Sequence, residues 1–248
     1  MFNGKKIALR QILESSEGIH LTAYLVNRGD LVDLKVQLNE IINETHEWLQ
    51  SVQSLEEKHK FFKPLYALLN DSRIFKSMTG NIGIFRNKNS FRILNIAVDI
   101  EKQCHVASSF HVKPLLRSMQ FDHDFLPEFR NAERQGLSVK NIFQISKAVV
   151  KGRVRKLIIA DDWLIHGKVD KHTGSLTIHP FDVNHEDDDI LDDLAQTVLA
   201  FGGEVVLVPR AEIPKSRPAL AILQKRRKDS RKKELLKDNE HFRERISA

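Results

Sequence analysis

Apolar positions change their spacing several times along the chain, and each change predicts an element. Ile7, Ala8, Ile12 and Leu13 fall at helical spacing within Lys5 to Glu14, before Ser15-Ser16-Glu17-Gly18 stops the pattern. Ile19 to Val26 then alternates at period two, which predicts a strand, and Asn27-Arg28-Gly29-Asp30 supplies the turn after it. From Leu31, the residues Leu34, Leu38, Ile41, Ile42, Thr45, Trp48 and Leu49 line one face of a helix of about 20 residues. A second helix is predicted over Glu56 to Leu69. Gly80 to Arg86 and Phe91 to Val98 are short apolar runs on either side of Asn87-Lys88-Asn89-Ser90, a hairpin pattern.

The second half has a different character. Met119 to Gly136 mixes Pro127, scattered aromatics and charges without a clear period, and reads as a junction. Val139 to Val150 is helix-like with Gly152 placed to end it, and Val154 to Ala160 is an apolar strand. Ile165 to Asp170 and Ser175 to His179 form a predicted hairpin around Lys171-His172-Thr173-Gly174, pairing Asp170 with Ser175 and His166 with His179. In that hairpin His166 and His179 take the solvent face, opposite Ile165, Val169, Leu176 and Ile178. Asp189 to Phe201 is an amphipathic helix ending at Gly202-Gly203, and Val205 to Val208 follows as a buried strand. Helix and strand alternating in this way predict an α/β sandwich with a covered sheet. The expected organisation is an N-terminal α+β domain over residues 1–118, a junction over 119–137, an α/β/α sandwich over 138–224 and a basic tail, helical or disordered, over 225–248.

Composition narrows the setting. Apolar residues make up 41% and charged residues 29%, a balance that excludes a wholly disordered chain. No run approaches 18 consecutive apolar residues, and Met1-Phe2-Asn3-Gly4-Lys5-Lys6 leads into a charged amphipathic stretch, so neither a membrane span nor a signal peptide is expected. The single cysteine, Cys104, cannot close an internal disulfide, which fits a reducing cytoplasm. Net charge is +6, and residues 225–248 carry +5 of it, from ten Lys or Arg against five Asp or Glu. A charge so localised is the footprint of a polyanion contact, or else the solvated face of a terminal helix.

Several constellations could carry chemistry, and most have a structural explanation. Glu186-Asp187-Asp188-Asp189 with Asp192-Asp193 could serve a hard cation, but carboxylates at a helix start also favour its dipole and free N–H groups. Asp161-Asp162 follows a strand at its carboxyl end, where α/β sheets bind ligands and where turns also occur. His166 and His179, with help from His185, could bind zinc or copper, but two or three exposed nitrogens without a clear second shell are weak evidence, and no metal or cofactor is expected. Cys104 and His105 are neighbours in a strand, point to opposite faces and cannot share a proton. No phosphate-cradling Gly-rich loop and no dinucleotide fingerprint occurs. His111, Lys113 and Arg117 read as a basic patch near the junction that could contact RNA, with a bland reading of exposed residues around Pro114 beside it.

Four segments resemble the bacterial relatives of the archaeal and eukaryotic class-one release factors and of Pelota. Leu21-Thr22-Ala23-Tyr24-Leu25-Val26 with its long following helix is similar to the start of that family's N-terminal domain, and Ser109-Phe110-His111-Val112-Lys113-Pro114-Leu115-Leu116-Arg117 resembles the segment that closes it. Gly152 to Ala160 followed by Gly167-Lys168-Val169-Asp170 is similar to the start of the C-terminal domain. Gly202-Gly203-Glu204 to Pro209, with Ala219-Leu220-Ala221-Ile222-Leu223, resembles its closing strands. The resemblance implies a translation-associated protein that docks on ribosomal RNA in rescue, termination or hibernation, with a C-terminal domain of the L7Ae and Pelota type. The chain departs from the family in lacking room for a central domain, and Glu204 stands where a Gly-Gly-Gln tripeptide would need glutamine. Hydrolysis of peptidyl-tRNA is therefore not expected, and no catalytic residue is assigned.

The expected function is non-enzymatic occupancy of the ribosome or RNA, without DNA specificity or a membrane partner. Its contacts would be Lys225, Arg226, Arg227, Lys228, Arg231, Lys232 and Lys233 of the tail, with His111, Lys113 and Arg117. The alternative is an adaptor whose L7Ae-like domain docks a protein such as a translational GTPase. An enzymatic reading would have to rest on the His166/His179 hairpin and the acidic run.

Overall fold

In the computed structural model the described residues are 18–49, 54–71, 73–97, 99–117, 125–179 and 188–225. The first half is a four-stranded antiparallel sheet with helices on one side. β1 (His20–Leu25) is followed by helices α1 (Leu31–Leu49), α2 (Leu55–Asn70) and the short α3 (Arg73–Lys76), then by β2 (Asn81–Arg86), β3 (Phe91–Ile96) and β4 (Gln103–Ala107). The strand order is β3-β2-β1-β4, so β1 is central. Its six residues are all buried because both faces are covered. Leu21, Ala23 and Leu25 pack with Leu34, Leu38, Ile41 and Ile42 of α1 and Phe62 and Leu65 of α2, while Tyr24 contributes to the cluster on the other face. The β2–β3 hairpin closes with Arg86 opposite Phe91, and Asn87 Oδ1 accepts the N–H groups of Asn89 and Ser90 within the turn. Ser54 begins α2 with a capping box, exchanging hydrogen bonds with Glu57.

The short α4 (Lys113–Arg117) leads toward the second half. The stretch expected as an aperiodic junction contains a helix, α5 (Phe125–Arg134), whose Phe125, Phe129 and Ala132 are buried. Pro127 is its third residue, in the first turn, where backbone N–H groups have no helical partner and proline costs nothing. A two-residue strand, β5 (Ser138–Val139), follows, and the helix predicted from Val139 starts later, as α6 (Ile142–Val150). Asn141 sets that start by accepting the N–H groups of Phe143 and Gln144.

The remaining elements are β6 (Val154–Ala160), β7 (His166–Val169), β8 (Leu176–Ile178), β9 (Asp188–Asp189), α7 (Ile190–Ala200), β10 (Glu204–Val208) and β11 (Ala219–Leu223). A mixed sheet runs β10-β6-β11-β5, with β10 parallel to β6 and β11 antiparallel to it. Leu157 and Ile159 face α6 and α7, whereas Ile158 and Ala160 pack with Phe125 and Phe129 of α5, so the sheet is covered on both sides. The hairpin β7–β8 takes the predicted register, with the amide of His179 donating to the carbonyl of His166 and that of Asp170 to Ser175. Ile178, expected on its covered face, is 43% exposed because β8 is an edge strand. The Gly202-Gly203 pair ends α7 as predicted, with Gly202 left-handed at φ 80° and the amide of Gly203 donating to Val198.

One apolar cluster runs from Tyr24, Phe85 and Ile96 through Phe110, Val112 and Leu115 to Leu157, Leu191 and Leu194. The two sheets therefore share a continuous apolar layer. No helix among the described residues is long and apolar enough to cross a membrane. The helix predicted over Lys5 to Glu14 lies outside the described residues.

Candidate nucleic-acid interface

The segment Ser109 to Lys113 lies between β1 and α7, and its polar groups are almost all engaged there. The amide of His111 donates to Thr22 Oγ1 at 2.9 Å, and Tyr24 Oη donates to the His111 carbonyl at 2.7 Å. From the other side, Asp192 accepts the amides of Val112 at 2.9 Å and Lys113 at 3.0 Å, capping the start of α4, and it lies 3.0 Å from His111 Nδ1. One turn further along α7, Gln196 accepts the Phe110 amide at 3.1 Å and donates to Ser109 Oγ at 3.0 Å and to the Phe110 carbonyl.

Lys113 is buried, and its ammonium pairs with Asp189 and donates to the Trp163 carbonyl at 2.8 Å. Asp189 has a second task, accepting the amides of Leu191 at 3.1 Å and Ile165 at 3.2 Å as the N-cap of α7. Burial raises the Asp189 carboxyl above its usual range, with Lys113 acting against that shift. Asp189 and Asp192 thus keep the helix-start role read from the sequence and also bind the two halves together. Hydrogen bonds to charged groups of this kind contribute about 1.5–3 kcal/mol each.

This geometry divides the expected basic patch. His111 and Lys113 are turned inward onto Asp192 and Asp189, so Lys113 has no free charge to offer a phosphate. Arg117 stays near solvent, held by Asp161 at 2.6 Å. It sits beside the carboxyl end of β6, where the Asp162 carboxylate accepts the Arg210 amide at 2.9 Å and the Arg210 guanidinium lies 3.7 Å from the Trp163 ring centroid. Asp161 and Asp162 are therefore engaged in local contacts.

His20 and His105 are pushed toward the neutral form by their surroundings. Burial lowers His20 to about 4, and its ring stands edge-on to Phe110 with centroids 4.6 Å apart. His105 keeps an exposed edge, yet desolvation and the adjacent His111 ring, 4.2 Å away, also lower it to about 4. Cys104 points the other way, toward Thr45, and burial pushes its thiol up to about 12. The two neighbours share no proton, as the strand spacing predicts. Among the described residues no group of three or more His, Cys, Asp or Glu side chains is arranged to hold a metal ion.

Of the tail, Lys225 is described and exposed, at the end of the chain's path out of β11. Arg226, Arg227, Lys228, Arg231, Lys232 and Lys233 lie outside the described residues, as do His185, Glu186 and Asp187. The structure adds a feature that sequence reading passed over: Lys151, Arg153 and Phe201 are exposed near the point where the tail departs. They fall in turns after α6 and α7, where periodicity gives no signal. No family model matches the chain, and a search of curated proteins finds no match.

Proposed function

We propose that this protein is a non-enzymatic, translation-associated factor that binds the ribosome or its RNA and acts by occupancy. The observation that carries the reading is the charge of residues 225–248, which hold +5 of the chain's +6. Lysines and arginines that neutralise phosphates release condensed counterions, so such a tail gives strong, salt-sensitive attachment without reading sequence. The resemblance of Ser109 to Arg117 and of Gly202 to Leu223 to release-factor relatives supports the ribosome as the target. In this reading the C-terminal half is an L7Ae-like sandwich, the protein works in the cytoplasm, and Arg117 supplements the tail. His111 and Lys113 hold the two halves in one orientation.

Co-sedimentation with purified ribosomes tests the reading. The full chain is expected to pellet with ribosomes at low salt, and a chain ending at Gln224 is expected to remain largely in the supernatant. Equal pelleting of the two forms would remove the tail from the account. Failure of both to pellet would overturn the ribosome as partner and favour a protein-docking role.

A further inference from the structure

Three turns meet where β11 ends. The amide of Gln224 donates to the Arg153 carbonyl at 2.8 Å, which puts Lys225 beside Arg153 at the start of β6. Lys151 and Gly152 form the turn just before, and the Phe201 ring lies over Gly152. A Cβ at Gly152 would come within 3.1 Å of that ring, a tight contact, and its φ of 61° is left-handed, which favours glycine. Phe201 nevertheless remains 53% exposed, and Lys151 and Arg153, on either side of Gly152, and Lys225 are exposed as well. None of the three cations forms an ion pair among the described residues. The nearby carboxylate of Glu204 is directed at Lys156, 3.6 Å away.

An exposed aromatic ring with exposed cations in the adjoining turns suits a ligand with an aromatic face and a negative backbone. We infer that Lys151, Arg153, Phe201 and Lys225 form a single-stranded RNA site, in which a base stacks on Phe201 and flanking phosphates meet the three cations. Two observations favour RNA over an acidic protein segment. The cations lie in turns next to an aromatic ring, and in the sequence Lys225 is followed directly by Arg226-Arg227-Lys228, a run suited to a phosphate backbone. The inference rests on the reading of the protein as an RNA binder and specifies which part of the folded body touches it.

The test uses the full chain and a fluorescein-labelled 12-nucleotide oligouridylate, with a 12-base-pair RNA duplex and polyglutamate as comparison probes. Phe201→Leu is expected to weaken binding of the single strand about tenfold, as loss of one stacked base does, whereas Phe201→Trp restores it. K151Q/R153Q is expected to lower the slope of log affinity against log salt by about 1.4, at about 0.7 per single-strand phosphate contact. The duplex, whose bases are already stacked, should be insensitive to the Phe201 changes. Unchanged single-strand binding by both Phe201→Leu and K151Q/R153Q would overturn the site. If the chain ending at Gln224 still loses ribosomes, that result leaves the tail reading standing. Tighter binding of polyglutamate than of oligouridylate, lost in the same variants, would assign the surface to an acidic protein instead.

Discussion

Lys113 and His20 show what burial asks of single polar residues. Lys113 has its ammonium on Asp189, 76 residues along the chain, and both are buried. Removing one partner of such a pair leaves the other charge desolvated and unmatched, which costs about 3–5 kcal/mol. Lys113→Met is therefore expected to lower unfolding stability by that amount in urea titrations, and K113M/D189N to recover a large part of it. A loss below about 0.5 kcal/mol for the single change, the range of ordinary surface substitutions, would contradict the buried pair. His20 predicts a pH dependence. Its folded pKa is lowered by burial from 6.5 to about 4, so its contribution is complete above pH 6.5 and is lost as pH falls through about 4. Stability should fall by about 3 kcal/mol across that window on account of His20, with His105 acting in the same direction. Urea midpoints measured from pH 7 to about 4 should fall less steeply for His20→Gln than for the unaltered chain. Parallel curves would show that His20 is not held neutral. Neither commitment was legible locally: His111, Lys113 and Arg117 read as a surface patch because the carboxylates that claim the first two lie far along the chain.

Elements were legible wherever one covered face imposed a period. The hairpin register pairing His166 with His179 followed from the Lys171-His172-Thr173-Gly174 turn together with alternation, since a one-residue slip would exchange the two faces. Helix α1 was equally plain from its apolar stripe. The helix α5 was not, because Pro127 and the mixed charges of Phe125 to Arg134 suggest a break, although a first-turn proline leaves a helix intact. Its acidic residues are engaged: Glu133 pairs with Lys140, and Glu128 bridges Arg155 and Lys156, which hold its carboxyl low against the opposing effect of burial. What α5 contributes is Phe129, 2% exposed against the sheet. Phe129→Ala is expected to cost about 3–5 kcal/mol by chemical denaturation, from lost burial and a residual cavity. A cost under about 1 kcal/mol would mean that α5 is not part of that core.

At the scale of the whole molecule, the sequence indicated a mixed α/β protein in two halves, but not how the halves meet. The continuous layer from Tyr24 through Val112 to Leu194, and the grip of Asp192 and Gln196 on Ser109 to Lys113, arise only once the chain is folded. That grip gives the body one orientation, and the basic tail leaves from one end of its second sheet. The central claim is that the tail attaches this body to ribosomal phosphates, and the salt dependence of ribosome affinity tests it most directly. Between about 50 and 200 mM salt, the full chain should lose affinity steeply, and a chain ending at Gln224 should show a slope smaller by about 0.7–0.9 for each phosphate contact removed. Identical slopes for the two chains, or no measurable ribosome affinity in either, would contradict it.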